Sequence, residues 1–199
     1  NDTAYVFGVS DYGYNSIGTN RNVAIGGVNQ LLAANFAAHR FGAYAESGLK
    51  WHARWFHVQP LVGLQYQHIA QDGFSESGGA AALNVSAAQA NSLRSGFGAR
   101  LVVDQLTGRW GEVWTPYWQL RWISELLNDD RTFDASFVGA PPGGSFTSHG
   151  TQLGRNYFSY GKGLQLKLSD RWTLFANGEL MVFDLIRTES ISLGAIGNW

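Results

Sequence analysis

The chain has 199 residues, 14 Lys and Arg against 15 Asp and Glu, and no cysteine. Its formal charge of -1 gives no electrostatic case for nucleic acid, and the lack of Cys excludes a disulfide framework and thiolate metal sites. Every apolar run is soon broken by Gly, Gln, Asn, Arg or Glu, which excludes a transmembrane helix, since that needs about 20 apolar residues in succession. A closed membrane barrel stays open, because its lipid-facing and lumen-facing residues alternate and cancel in any average.

Two-residue periodicity, the mark of strands with a different environment on each face, occurs eight times. With the more apolar parity taken as outward, the first stretch sets Tyr5, Phe7 and Val9 against Gly8, Ser10 and Tyr12. The second sets Phe41, Ala43, Ala45, Leu49 and Trp51 against Arg40, Gly42, Tyr44, Glu46 and Lys50. In the third, Val58, Pro60, Val62, Leu64 and Tyr66 oppose Gln59, Gly63, Gln65 and Gln67. The fourth runs from Leu83–Val85 into Leu93, Phe97, Ala99, Leu101 and Val103, facing Arg94, Gly96, Gly98 and Arg100. Trp114, Pro116, Trp118, Leu120 and Trp122 make the fifth, opposite Thr115, Tyr117, Gln119, Arg121 and Glu125. The sixth sets Phe158, Tyr160, Leu164, Leu166 and Leu168 against Arg155, Tyr157, Ser159, Gln165 and Lys167. The seventh sets Trp172, Leu174, Ala176, Leu180 and Val182 against Thr173, Asn177 and Glu179, and the eighth sets Ile191, Leu193, Ala195 and Trp199 against Ser190, Ser192 and Asn198.

A soluble antiparallel barrel or sandwich also alternates, but it turns its apolar face inward. Here the polar parity carries full charges, Arg40, Glu46, Lys50, Arg94, Arg100, Arg121, Glu125, Arg155, Lys167 and Glu179, beside many Gly, which suits a wet lumen better than a solvent surface. The links near His52–Phe56, Asp104–Glu112 and Ser169–Arg171 are short, while Asn15–Ala37, Ala70–Asn91 and Leu126–Gly150 are long. Outer-membrane barrels have this asymmetry, with short periplasmic turns and long extracellular loops, so both termini are expected on the periplasmic side. Trp51, Trp55, Trp110, Trp114 and Trp172 flank the short links, as an aromatic girdle at one membrane interface would. The expected fold is all-β, an antiparallel transmembrane barrel with eight strands in this chain.

Four blocks carry a family resemblance: Phe41-Gly42-Ala43-Tyr44-Ala45-Glu46-Ser47-Gly48, Gln59-Pro60-Leu61-Val62-Gly63-Leu64-Gln65-Tyr66, Asp72-Gly73-Phe74-Ser75-Glu76-Ser77-Gly78-Gly79, and Leu93-Arg94-Ser95-Gly96-Phe97-Gly98-Ala99-Arg100. In their order and spacing the chain resembles the C-terminal translocator β-domain of classical autotransporters, the type V secretion systems. The Phe-x-Glu-x-Gly block, Phe74, Glu76 and Gly78, is the most specific. The resemblance implies a twelve-stranded barrel with a helix in its pore, anchoring a passenger and helping it reach the cell surface. Residues 1–199 correspond to its last eight strands, so the chain is expected to be the C-terminal part of such a barrel, without its N-terminal strands and pore helix. Closure on eight strands is the alternative. The start at Asn1-Asp2-Thr3, without Met or a leader pattern, fits a removed leader or a piece of something longer.

Ile191, Leu193, Ala195, Gly197 and Trp199 resemble the terminal signal read by the barrel-assembly machinery, with Trp in place of the usual Phe. Phe74 and Glu76 are expected to serve folding or loop anchoring, or else to form a simple exposed turn. The inward charges read either as cross-strand ion pairs beside water or, for Arg94, Arg100 and Arg121, as contacts to a threaded segment with room left by Gly63, Gly96, Gly98 and Gly161. His68, Ser75 and Glu76 are the one sequence-local group a rim enzyme could use, and nothing in the sequence orients them. His39, His52, His57 and His149 lack metal-ligand spacing, and Gly161-Lys162-Gly163 lacks the helix a phosphate loop needs. The reading is a non-enzymatic outer-membrane translocator without cofactor. Its expected partners are outer-membrane lipid and lipopolysaccharide, the assembly machinery and a passenger segment in the lumen. The alternative is a small structural or adhesive barrel acting through its loops.

Overall fold

A computed structural model describes residues 3–127, 132–141, 143–150, 154–184 and 186–197. Its strands are β1 (Ala4–Ile25), β2 (Val28–Leu49), β3 (Trp51–His52), β4 (Phe56–Gln71), β5 (Phe74–Ser75), β6 (Leu83–Val85), β7 (Ala88–Val103), β8 (Leu106–Thr107), β9 (Val113–Glu125), β10 (Thr132–Phe137), β11 (Ser145–His149), β12 (Asn156–Lys167), β13 (Trp172–Val182) and β14 (Arg187–Gly197). The long strands form one antiparallel meander in the order β1-β2-β4-β7-β9-β12-β13-β14, with β3 added to β4 and β8 to β9. β1 and β14 are its edges, and among the described residues no pairing joins them.

Directly opposed residues in an antiparallel pair point to the same face, so the register assigns every side chain. One row runs Glu46, Gly63, Gly96, Ile123, Tyr157 across five strands. The other face carries the row Ser47, Val62, Phe97, Trp122, Phe158, Val182. The sheet curls toward the first face, where Arg121 on β9 reaches Tyr44 on β2 past β7 and β4. Burial is inverted relative to a water-soluble domain: Glu46, Gln59, Ser92, Gln119 and Ser159 are buried on the concave side, while Val62, Phe97, Leu120, Ile191 and Leu193 stand exposed on the convex one.

Three expectations are corrected. The segment from Asn15 to Ala37 is not a loop: β1 and β2 are each 22 residues long and meet at Gly26-Gly27, both at positive φ (57° and 88°). A two-residue hairpin turn of this kind needs φ above zero at both central positions, which glycine adopts without a Cβ penalty. The faces of β1 are also reversed, because Phe7 stands opposite Glu46 and Val9 opposite Tyr44. Tyr5, Phe7 and Val9 therefore lie on the concave face, and Val6, Tyr12 and Tyr14 on the convex one. Finally, Leu83–Val85 is not the top of the fourth long strand; it is β6, in a second sheet ordered β11-β10-β6-β5. The long link after β9 supplies β10 and β11 of that sheet.

The second sheet is amphipathic. Phe74, Val85, Ala135 and Phe146 share one face, and Ser75, Asn84, Ser136 and Ser145 the other. Phe74 on the apolar face stacks on Phe36 of β2, and Leu32, Ala34, Val85 and Ala135 are buried. Leu32 and Phe36 share the parity of Glu46, so the small sheet folds over the concave side at the long-link end, on the part of the β1–β2 hairpin that rises beyond its neighbours.

Candidate functional site

The concave face holds a continuous polar chain. His57 Nδ1 lies 2.8 Å from Asp104 Oδ1 and its Nε2 lies 2.8 Å from the Gln59 amide nitrogen. Arg100 donates to Gln59 Oε1 (3.3 Å), Gln119 Oε1 (2.8 Å) and Glu46 Oε1 (3.2 Å). Glu46 accepts in addition from Tyr5 (2.7 Å) and Tyr44 (2.5 Å). Arg121 then donates to Tyr44 Oη (3.3 Å) and Glu179 (3.1 Å), and Glu179 accepts from Ser159 Oγ. This chain crosses most of the sheet from the short-link end into its middle. Isolated charges in such a place would be costly, and mutual pairing with hydrogen bonds to the neighbouring polar groups is what makes them tolerable.

The remaining charged positions divide by location. Arg94 pairs with Glu125 at 3.0 Å, and Glu125 also accepts from Ser92 Oγ and Leu93 N. Arg40 pairs with Asp11 of β1 at 2.6 Å on the same face. Lys167 pairs with Asp170 at the short-link rim, 2.8 Å apart. Lys50 and Arg155 sit in links: Lys50 N donates to Thr3 O, and the Arg155 carbonyl accepts from Glu125 N. The space that inward glycines were expected to leave for a threaded segment is partly filled by the chain itself. A Cβ at Gly63 would meet Tyr44 Oη at 3.0 Å, and one at Gly98 would strike Leu120 O and lie 2.9 Å from Arg121 Cγ. Gly96 and Gly161 have ordinary clearance. Arg121 Nε is the one buried side-chain polar atom without a hydrogen-bond partner among the described residues.

A second cluster lies at the long-link end. Arg21 of β1 grips Glu76 with Nε to Oε1 at 3.0 Å and Nη2 to Oε2 at 2.5 Å, and also donates to Ala81 O. Glu76 further accepts from Leu83 N, and the Arg21 hydrogen bond holds its carboxyl below the usual Glu range. Ser77 and Ala33 exchange backbone hydrogen bonds of 2.9 Å. Gly78, at φ 116°, passes so close to β2 that a Cβ there would strike Leu31 O. The members of the Phe-x-Glu-x-Gly block thus act in three different ways, for Phe74 stacks, Glu76 binds Arg21, and Gly78 permits the close approach.

Other expected sites are placed as follows. Ile191 and Leu193 are 84% and 78% exposed on the convex face of β14, with Ala195 and Gly197 on the same parity; Trp199 lies outside the described residues. Trp51, Trp55, Trp110, Trp114 and Trp172 all sit at the short-link end, and Trp122 packs on Phe158 toward the other end. His68, Ser75 and Glu76 are not brought together: His68 bonds Asn91, Ser75 bonds Asn84, and Glu76 bonds Arg21. Sequence reasoning missed Arg21, Asp11 and Tyr5, all on β1, and the His57–Asp104 contact. Asp11 and Gly13 share the parity of apolar Phe7 and Val9, so alternation along β1 offered no contrast by which to find them.

An antiparallel meander with a charged concave face, an apolar convex face and short links at one end has the build of a β-barrel wall. The chain belongs to the autotransporter beta-domain family, whose pattern it matches over residues 1–179. It is similar to the extracellular serine protease of Serratia marcescens, 28% identical over 169 residues, which is 78% of this chain and 16% of that protein. The chain therefore spans less than a fifth of that relative's length. Membership of that family implies an outer-membrane location.

Proposed function

We propose that the eight long strands cross the outer membrane, with the concave face as part of a lumen, and that the domain anchors a passenger and helps deliver it to the cell surface without enzymatic chemistry of its own. The observation that carries this is the inverted burial, ionic inside and apolar outside. The apolar-to-polar switch on the convex side of β1 supports it: Ala4 to Tyr14 fits the roughly 9–11 residues of a membrane-crossing strand, and Ser16, Gly18, Asn20 and Asn22 follow. On this reading the short links and both termini are periplasmic, and the tall hairpin with its docked small sheet is extracellular.

Unpaired edges at β1 and β14 support a larger closed barrel, because edges within hydrocarbon leave backbone groups unsatisfied. In a twelve-stranded barrel these would be the last eight strands, and Phe7 and Val9, both 53% exposed on the concave face, would be covered by what fills the lumen. The ion-paired Arg94, Arg100 and Arg121 then serve first to hold the wall, and a threaded segment would meet a wall already neutralised. Outer-membrane lipid and lipopolysaccharide surround it, and the assembly machinery reads its final strand.

The test uses the full-length protein in intact cells. Protease added outside should cut between Leu126 and Gly150, spare Ser169–Arg171, and remove a passenger segment carried N-terminal to the whole barrel. Deletion of residues 1–199 should leave that segment inside. Cleavage at the Ser169–Arg171 link, or surface delivery without the domain, would overturn the reading.

A further inference from the structure

On the convex parity of the eight long strands only three charged residues occur: Arg187, Glu189 and Lys162. Arg187 and Glu189 pair with each other at 2.5 Å near the long-link end. Lys162 is different. It is exposed, halfway along β12, with Phe158 and Tyr160 toward one end and Leu164 and Leu166 toward the other. Among the described residues it has neither a carboxylate nor a hydrogen-bond acceptor as partner.

Its cross-strand row reads Trp118, Lys162, Gly178, Ile191. The stem lies across Gly178, with Cγ and Cε each 3.9 Å from where a Cβ there would be. Gly178 and Ala176 hollow the face into a groove of about 340 Å³ beside Lys162, walled by Trp118 and Ile191. It continues along β13 toward the short-link end as a second groove of about 550 Å³ between Trp114 and Leu193. At about 3.3 Å per residue and a tilt of about 40°, the six residues to Asn156 place Lys162 some 15 Å from the upper polar edge. A lysine stem does not span that distance, so a lipid headgroup anion is out of reach. An ionisable side chain facing hydrocarbon at this height is among the costliest placements on a barrel, and where one persists it has a partner.

We propose that the convex face of β12–β14, centred on Lys162, is an intramembrane docking surface for a transmembrane segment of another protein that presents a carboxylate at mid-height. The ammonium supplies the polar contact, and the trough left by Gly178 and Ala176 lets the partner's backbone approach. The proposal rests on the membrane-spanning reading above.

Its test has two arms. In pure phospholipid vesicles Lys162 is uncompensated, so Lys162→Leu should lower the unfolding equilibrium constant in urea by about 30-fold or more. In cells, a photocrosslinker at Ile191 of the full-length protein should give a protein adduct that survives Lys162→Arg and falls at least about tenfold in Lys162→Leu. Lys162→Glu should abolish it, and changing the partner's carboxylate to Lys should restore it. An adduct indifferent to residue 162, an adduct to lipopolysaccharide alone, failure of the charge swap, or no stabilisation by Lys162→Leu in vesicles would overturn the docking proposal. Wild-type protein that neither enters vesicles nor fractionates with the outer membrane would instead sink the reading beneath it, a result visible before any variant is compared.

Discussion

Phe74 lies flat on Phe36, ring centroids 4.3 Å apart and planes 9° from parallel, so the first residue of the Phe-x-Glu-x-Gly block fastens a loop to the upper half of β2. Stacked pairs contribute about 0.5–1.5 kcal/mol beyond buried area. Phe74→Ala should weaken docking by about 1–3 kcal/mol, and Gly78→Ala by at least as much, because its new methyl strikes the Leu31 carbonyl. Protease added to intact cells should then cut within residues 72–88 several-fold faster, while heat-modifiable migration of the barrel stays unchanged. Unaltered cleavage in both variants would rule out an anchoring role.

The same loop should be acid-sensitive. Glu76 is held below its ordinary carboxyl range chiefly by Arg21, so its contribution is fully present above about pH 4.3 and is lost as pH falls through the depressed value. Arg21 stays charged throughout. Because its side chain is 40% exposed, the linkage is worth only about 1 kcal/mol. Proteolysis of residues 72–88 should accelerate below about pH 4 in the wild type, using an acid-active protease, and Glu76→Gln should show the accelerated rate already at neutral pH.

Faces can be tested by charge. Leu120 is 55% exposed on the convex side, and Leu120→Arg should cost about 2–4 kcal/mol in vesicles. Gln119 is a poor control, since it is 9% exposed and accepts from Arg100, so an arginine there would meet a like charge. Gln165, exposed on the concave face of β12, is the better site, and Gln165→Arg should cost below about 1 kcal/mol. Urea unfolding of the two variants decides it; equal costs would invalidate the assignment of faces.

The concave network predicts an asymmetry at Glu46. Removing one member of a buried ion pair costs about 3–5 kcal/mol because the other charge is stranded. Glu46→Ala should approach that figure, since Arg100, Tyr5 and Tyr44 all lose their acceptor. Glu46→Gln keeps an oxygen for them and should cost roughly half. Unfolding in lipid, followed by Trp fluorescence, measures both.

The sequence made some faces plain and hid others for a physical reason. On β4, β7, β9 and β12 the two parities differ sharply, as Leu64 and Phe97 do from Gln65 and Arg94, and the opposite neighbours found in the structure share those faces. On β1 both parities are apolar, Tyr5, Phe7 and Val9 against Val6, Tyr12 and Tyr14, so alternation had no contrast to report. Above Tyr14 the convex side of β1 is polar and the concave side mixes Ile17 and Val23 with Thr19 and Arg21, so neither face reads as apolar and the segment reads as a loop. The ion pairs were foreseeable as a class but not by partner: Arg100 meets Glu46 across 54 positions of sequence, and Arg21 meets Glu76 across 55. Those matches depend on register, which short-range pattern does not encode.

Gly26 and Gly27 decide more than a change of direction. Pairing on β1 and β2 is counted outward from them without a break, from Ile25↔Val28 down to Ala4↔Leu49. One residue added to the turn would slide the count by one, and every β1 side chain would change sides relative to β2. Tyr5 would leave Glu46, Asp11 would leave Arg40, and Arg21 would turn its back on Glu76, while β2 and all strands after it kept their places. A single miscount at the tip would thus sever the base, the middle and the top of the hairpin together, on a strand whose only partner among the described residues is β2.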